Sequence, residues 1–158
     1  MAKYFDTLSQ EDRQILKDAF VSITLLIASA ESEITEAEIA EAVNTIKVRG
    51  YEANHLFHEF YDEIGQDFAQ NLETAKNANP ISREAEDLYA NQISKVNAIL
   101  EKLPNSISTR LYKDYLSFAH RIANASGGVL GFGTISREER NLIHLPMIHP
   151  IINEEEEE

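Results

Sequence analysis

The sequence predicts an all-α protein, a single multihelical domain of about seven helices that form two pseudo-symmetric helix–loop–helix halves. Apolar residues recur at steps of three and four along most of the 158-residue chain, which is the period of an amphipathic helix. A serine or threonine followed three residues later by a glutamate marks helix starts, and no alternating stretch leads into a hairpin turn. Two stretches of the chain also resemble each other, which indicates the two halves.

The first two helices have clear start signals. An apolar stripe runs over residues 9–30, so the first helix begins near Ser9 and should be the most buried one. Thr35 and Glu38 form a capping box, in which each side chain can satisfy a free backbone N–H of the other residue. The second helix is therefore predicted over about 36–49, and Gly50 supplies its end.

The next two helices are separated by a proline. Aromatic and aliphatic residues over 56–68 mark the third helix, which Gly65 is expected to divide into two shorter pieces. Pro80 ends this half of the chain. Ser82 then begins a long helix that Pro104 closes, because a proline cannot continue the hydrogen-bond ladder.

The last third of the chain contains two more predicted helices and a glycine-rich connection. The first covers about 111–123, and the loop Gly127–Gly133 follows it. Ser136 and Glu139 form another serine-x-x-glutamate box, which predicts a short helix to about Leu145.

We expect one helical domain over residues 1–153 and a disordered acidic tail over 154–158. Residues 145–153, LPMIHPIIN, should pack on the body through their apolar side chains. The tail is a run of five glutamates, a composition that cannot form a packed core.

Composition and charge restrict the function. The chain has no cysteine, which excludes disulfides and thiolate metal sites, and its formal net charge of −13 should repel nucleic acid and anionic lipid. The most apolar run, residues 19–30, is too short to span a bilayer, and the N-terminus has no signal-peptide core. We expect a cytoplasmic protein without a transmembrane segment. The ligands or partners expected for such an acidic protein are cations or proteins with a basic surface.

An internal comparison suggests a duplication. Residues 20–30, FVSITLLIASA, align with residues 115–125, YLSFAHRIANA, in the first aromatic residue, the serine and the Ile-Ala-x-Ala ending. Both stretches lead to a predicted capped helix. The alternative explanation is that two buried helices converged on similar apolar patterns.

These residues resemble the TerB-like family, which is associated with tellurite resistance. The resemblance rests on the buried helix ending at Ala30, the acidic connection Glu31-Ser32-Glu33, then Ile34-Thr35 and Glu38, with a weaker copy near the C-terminus. It covers most of the chain, from about residue 20 to 145. It implies an all-α protein with pseudo-twofold related halves and an acidic surface site for a divalent metal.

The acidic residues of this stretch define the first candidate metal site. Glu31 and Glu33 from the connection can meet Glu38 from the first helical turn and Glu139 from the second copy. Hard oxygen ligands of this kind favour Ca²⁺, Mg²⁺ or Mn²⁺. An EF-hand is excluded, because its first ligand position would fall on Ile27. The alternative is that these carboxylates only cap a helix and interact favourably with its dipole.

The third helix carries a second candidate metal site. His55 with Glu59, and His58 with Asp62, are i,i+4 pairs on one helix that can share a transition metal such as Zn²⁺. A carboxylate-bridged di-iron site would need a second Glu-x-x-His unit, which the chain lacks. The alternative is a surface helix that is rich in histidine and glutamate.

The glycine-rich loop is a candidate contact for a protein partner. It holds four of the six glycines and would expose Leu130 and Phe132. It lacks the Gly-Lys-Ser/Thr ending of a phosphate-binding loop, and no paired nucleophile and base is visible in the chain.

The predicted function is a non-enzymatic, TerB-like, cation-responsive interaction module in a stress or tellurite-resistance system. Its cofactor would be a divalent cation or none, its partners proteins, and the sequence also allows homo-oligomers. Two alternatives remain: a metal-dependent enzyme or transition-metal protein that uses the His55/His58 helix, and a scaffold without a ligand.

Overall fold

The structure is a computed structural model, and it describes residues 7–30, 34–52, 55–78, 82–129 and 142–151. The described part is helical and contains no strand, which confirms the all-α class. It has five helices of twelve residues or more, rather than the seven that were predicted. These are α1 (Gln10–Ala30), α2 (Glu36–Glu52), α3 (His55–Ala78), α4 (Arg83–Ser94), which a five-residue helix (Val96–Leu100) continues, and α5 (Asn105–Val129).

Helix α1 forms the centre of the fold, as its apolar stripe predicts. Ser9 caps it by accepting a hydrogen bond from the backbone N–H of Asp12 at 3.0 Å. All residues from Val21 to Ser29 are buried, and α1 contacts every other helix that the structure describes. Its buried hydroxyls do not remain unsatisfied, since Thr24 and Ser29 each donate to the carbonyl four residues back.

Aromatic rings join α1 to α3 and α5. The ring of Phe20 lies 4.8 Å from Tyr115, 5.1 Å from Phe118 and 5.7 Å from Tyr61, measured between centroids. The Tyr115 hydroxyl donates to the Leu16 carbonyl at 2.7 Å. Helix α5 is therefore held against α1 by one tilted and one edge-on aromatic contact and by a buried hydrogen bond.

The capping box at the start of α2 is confirmed, but the predicted end of this helix is wrong. Thr35 Oγ1 accepts from the backbone N–H of Glu38 at 3.1 Å, and Glu38 Oε1 accepts from the backbone N–H of Thr35 at 3.0 Å. The helix then continues through Gly50 to Glu52. Gly50 is buried against α3: a Cβ atom there would lie 2.8 Å from Asp62 Oδ1. The glycine thus permits a close approach of two helices and does not end one.

The predicted division of the third helix at Gly65 is also wrong. Helix α3 passes through Gly65 without interruption. Its packing stabilises it despite the glycine, because Ile64 and Phe68 on either side are buried in the core. This continuity is one reason why the structure has fewer helices than were predicted.

The second half differs from the prediction at two places. Ser82 caps α4 as expected, because its side chain accepts a hydrogen bond from the backbone N–H of Ala85 at 3.1 Å. The predicted long helix is interrupted once, at Lys95, whose backbone N–H donates to the carbonyl of Gln92, three residues back. Helix α5 extends to Val129, so Gly127 and Gly128 are helical and not part of a loop. Of the short helix predicted before Leu145, only its last turn lies within the described residues, and Leu142 is helical there.

Residues 145–151 pack on the body, as the apolar residues of this segment predict. Leu145 and Ile148 are buried, and Leu145 adopts a positive φ of 45°. Asn97 anchors this segment with both ends of its amide: Nδ2 donates to the Met147 carbonyl at 2.9 Å, and Oδ1 accepts from the His149 N–H at 2.8 Å. None of the described helices combines the length and apolar character that crossing a bilayer requires.

The two stretches of the predicted duplication lie on α1 and α5, in different surroundings. Their first residues, Phe20 and Tyr115, contact each other in the core. Leu25 and Leu26 are fully buried, whereas the aligned residues His120 and Arg121 are exposed. Helix α5 therefore presents a polar face where α1 has none. The duplication itself stays a prediction.

Candidate functional site

The structure describes one of the four residues predicted to form the acidic metal site. Glu31, Glu33 and Glu139 lie outside the described residues. Glu38 is buried, and its Oε1 accepts hydrogen bonds from the backbone N–H and the hydroxyl of Thr35. This carboxylate therefore has the helix-capping role, and the acidic metal site stays a prediction.

The histidine site is partly described. His58 Nε2 lies 3.2 Å from Asp62 Oδ2, so the predicted i,i+4 contact is present. Glu59 is exposed on the same helix, and the side chain of His55 lies outside the described residues. Within the described part of the chain, no three histidine or acidic side chains are grouped closely enough to hold a metal ion. Leu130 and Phe132, the predicted partner contact, are also outside the described residues.

A cavity of about 350 Å³, which was not predicted from the sequence, lies between α2, α3 and α5. It has the size of a small-molecule site. Three of the seven arginines of the chain line it, together with one carboxylate, that of Asp114. The complete lining comprises Asn44, Thr45, Val48, Arg49, Tyr61, Arg110, Asp114, Ser117 and Arg121.

Arg49 forms the rigid wall of this arginine cavity. Its guanidinium donates to the Asp114 carbonyl at 3.0 Å and to Ser117 Oγ at 2.7 Å. Its Cζ atom also lies 5.7 Å from the ring centroid of Tyr61 and 5.8 Å from that of Phe118. These contacts fix the last part of α2 to the middle of α5.

Tyr61 and Asp114 form a short hydrogen bond at the base of the cavity. The Tyr61 hydroxyl donates to Asp114 Oδ2 at 2.5 Å. Burial raises the pKa of Tyr61 well above its usual value, and the negative charge of Asp114 adds to this effect while Arg49 opposes it. The phenol is therefore held protonated, and it orients the carboxylate of Asp114.

Arg110 and Arg121 form the accessible side of the cavity. Arg110 Nε lies 3.2 Å from Asp114 Oδ1, and its Cζ lies 5.5 Å from the ring centroid of Phe57. Arg121 Nη1 is 3.7 Å from Glu41 Oε1, which is longer than a hydrogen bond. Their side chains are 49% and 60% exposed. Among the described residues, no group accepts a hydrogen bond from the two terminal nitrogens of Arg110 or from any nitrogen of Arg121.

The electrostatics of this cavity are opposite to those of the whole molecule. Three guanidinium groups and the carboxylate of Asp114 give its lining a formal charge of +2, in a chain whose net charge is −13. Two exposed arginines with unused donors, beside a third that is held in place, fit a carboxylate or a phosphate group, which accepts paired N–H donors.

A sequence signal for part of this site existed. Arg110, Asp114, Ser117 and Arg121 are spaced by four, three and four residues, which places them on one face of α5. Taken alone, this pattern is that of an ordinary solvated helix face. The opposite wall of the cavity is Arg49, which is 61 residues before Arg110, and nothing local in the sequence connects the two.

Comparisons with protein-family models, with curated protein sequences and with solved structures found no match to this chain. The TerB-like resemblance therefore stays a prediction, and the site is interpreted from its own geometry.

Proposed function

We propose that this protein is a helical binding module that recognises an oxyanion, a carboxylate or phosphate group of its ligand, in the arginine cavity. The observation that carries the proposal is the pair Arg110 and Arg121, whose guanidinium groups line one cavity and keep donors that no described residue uses. Planar guanidinium groups match the geometry of carboxylate and phosphate oxygens.

The cavity is arranged for binding before a ligand arrives. Arg49 is already held by Asp114 and Ser117, and Asp114 is itself held by Tyr61. Side chains that are fixed in advance lose little conformational entropy on binding. A ligand would therefore have to order mainly the two exposed arginines.

The charge of the rest of the molecule restricts the kind of anion. The net charge of −13 repels a long polyanion, whereas the cavity attracts a group that comes within a few ångströms of its arginines. At physiological ionic strength, charges more than about 8 Å apart are largely screened from each other. A compact anionic group is thus favoured over nucleic acid.

This proposal keeps one part of the function that the sequence predicts, namely an interaction module, and changes the charge of what it recognises. Binding of a divalent cation at Glu31, Glu33, Glu38 and Glu139 is a separate proposal that does not involve the cavity residues. The two sites can be tested independently.

A titration with simple anions tests the proposed function. The chain is titrated with sodium phosphate and with sodium acetate at constant ionic strength, and binding is followed by the backbone amide NMR signals. We expect saturable shifts at cavity residues, with a dissociation constant on the order of millimolar for one small group. The double variant Arg110→Gln/Arg121→Gln should bind at least about tenfold more weakly.

Arg13→Gln is the matched control, because Arg13 is a partly exposed arginine that pairs with Glu63 at 3.1 Å, away from the cavity. This variant should bind phosphate like the wild type. Equal weakening in both variants, or shifts that grow linearly without saturation in the wild type, would contradict the proposal and would indicate nonspecific attraction.

A further inference from the structure

A second groove continues the arginine cavity along α5. Its volume is about 680 Å³, and it lies between the outer face of α5 and the residues that precede Leu145. Ser117 and Arg121 line both the cavity and the groove. The two depressions therefore form one continuous surface, which we call the α5 face.

The groove combines an apolar floor with a cationic rim. Leu116 and Ile143 are partly buried against the core and supply the floor. Around them stand the basic side chains of Lys113, Arg121 and the exposed His120 from α5, and the exposed His144 from the segment that follows. No carboxylate is among the residues that line this groove in the described part of the chain.

We propose that the α5 face binds an acidic peptide segment of a partner protein, in which carboxylates flank an aliphatic side chain. The proposal rests on the proposed function, since one carboxylate of the segment would occupy the arginine cavity. The aliphatic side chain would lie on Leu116 and Ile143, and further carboxylates would contact His120, Arg121 and His144.

The dimensions of the face favour a peptide over a small anion. From Arg110 to Asn124, which also lines the groove, α5 rises by about 21 Å at 1.5 Å per residue. An extended peptide of six or seven residues covers this length. A phosphate ion would use the cavity alone and would leave the apolar floor of the groove without a function.

The same chemistry disfavours two other classes of macromolecule. A nucleic acid would bring many phosphates toward a protein of net charge −13, and the groove offers aliphatic side chains where base stacking needs aromatic rings. An anionic membrane would meet this repulsion over a much larger charged surface than a short peptide does. Carboxylates that alternate with aliphatic residues fit both parts of the surface.

The test uses a fluorescein-labelled peptide of sequence Glu-Glu-Leu-Glu-Glu-Leu-Glu and fluorescence anisotropy with the full chain. We expect saturable binding of this peptide by the wild type. The variant His120→Gln/His144→Gln, which removes two side chains that the carboxylates would contact, should bind the peptide at least about fivefold more weakly. Both histidines are exposed, so the variant should fold, and its phosphate binding in the arginine cavity should be unchanged.

The outcomes separate the two proposals. Phosphate binding without peptide binding would overturn the peptide proposal and leave the proposed function standing, and absence of both would overturn both. Peptide binding that is equal in wild type and in the histidine variant would also overturn the assignment of the groove, as would tighter binding of a labelled oligothymidylate. If the peptide bound only after Glu154–Glu158 had been replaced by serines, the occupant would be the chain's own acidic segment and not a partner.

Discussion

Replacing Gly65 by alanine tests whether α3 is one continuous helix. Gly65 is exposed in the interior of a 24-residue helix, and a Cβ atom there would find Ile46 Cγ2 at 3.8 Å, an ordinary contact distance. In a helix interior, alanine is about 1 kcal/mol more favourable than glycine, because glycine loses more backbone entropy on folding. Since no atom has to move, we expect the full gain, about 1 kcal/mol, in the free energy of unfolding.

Urea denaturation followed by circular dichroism measures this free energy. For a chain of this size, about 1 kcal/mol corresponds to a rise in Tm of roughly 2–4 °C. Gly50→Ala is the matched control: it is also within a helix, but its Cβ would lie 2.8 Å from Asp62 Oδ1 and would displace that carboxylate from its position beside His58. Gly50→Ala should therefore gain less than Gly65→Ala. If Gly65→Ala were destabilising, α3 would be interrupted there and the packing described above would be incorrect.

Three further predictions concern stability. Thr109 Oγ1 is buried and has no hydrogen-bond partner among the described residues, so Thr109→Val should stabilise the fold by about 1 kcal/mol. Thr24→Val removes the bond to the Phe20 carbonyl and should destabilise the fold by about the same amount. Thermal melts should therefore show changes in Tm of opposite sign for the two variants, and changes of the same sign would refute the assignment of these two hydroxyl groups. Asn97→Ala removes two hydrogen bonds to residues 145–151 and should lower the free energy of unfolding by about 2 kcal/mol. Hydrogen exchange at the backbone amide of His149 should become faster, and an unchanged exchange rate would show that the Asn97 amide does not hold this segment. Burial raises the pKa of Tyr61 and of Tyr115 in the folded state, so these tyrosines ionise first in the unfolded chain. The contribution of each tyrosine to the free energy of unfolding should be constant below pH 10 and should fall above it by up to about 1.4 kcal/mol per pH unit. Tyr61→Phe should reduce that slope in urea titrations between about pH 9 and 11, and an unchanged slope would mean that Tyr61 does not contribute.

Helix starts were predicted well because their signals are local. Ser9, Thr35 and Ser82 each cap a helix through a contact three residues along the chain, so the sequence alone contains the whole interaction. The apolar period likewise identifies the buried faces of α1 and α5. These features depend on helix geometry and not on which helices later pack together.

The two glycines show why the helix ends were predicted less well. Gly50 and Gly65 have the same local preference against a helix interior, and both were expected to end or divide one. In the structure, Gly50 allows Asp62 to approach α2. The helix continues through Gly65 because residues on either side of it are buried in the core. Contacts with another helix decide both cases, and no local pattern contains them.

The candidate site could be predicted only in part, for the same reason. The polar spacing of Arg110, Asp114, Ser117 and Arg121 is visible in the sequence, but their conversion into a cavity depends on Arg49, whose bond to Ser117 joins residues 68 positions apart. Composition pointed the other way, since a net charge of −13 suggested a cationic ligand. Net charge describes the long-range field of a protein, whereas a binding site depends on the few charges within contact distance.

The most direct test of the anion site observes the arginine side chains themselves. The Nε–Hε NMR signals of the arginines are assigned and followed during titration with phosphate at constant ionic strength. We expect the signals of Arg110 and Arg121 to shift together along one saturable curve, with that of Arg49 shifting less, because its guanidinium is already bound to Asp114 and Ser117. The signal of Arg13 should stay in place. Equal, unsaturable shifts at all arginines, Arg13 included, would contradict the existence of a specific oxyanion site between α2 and α5.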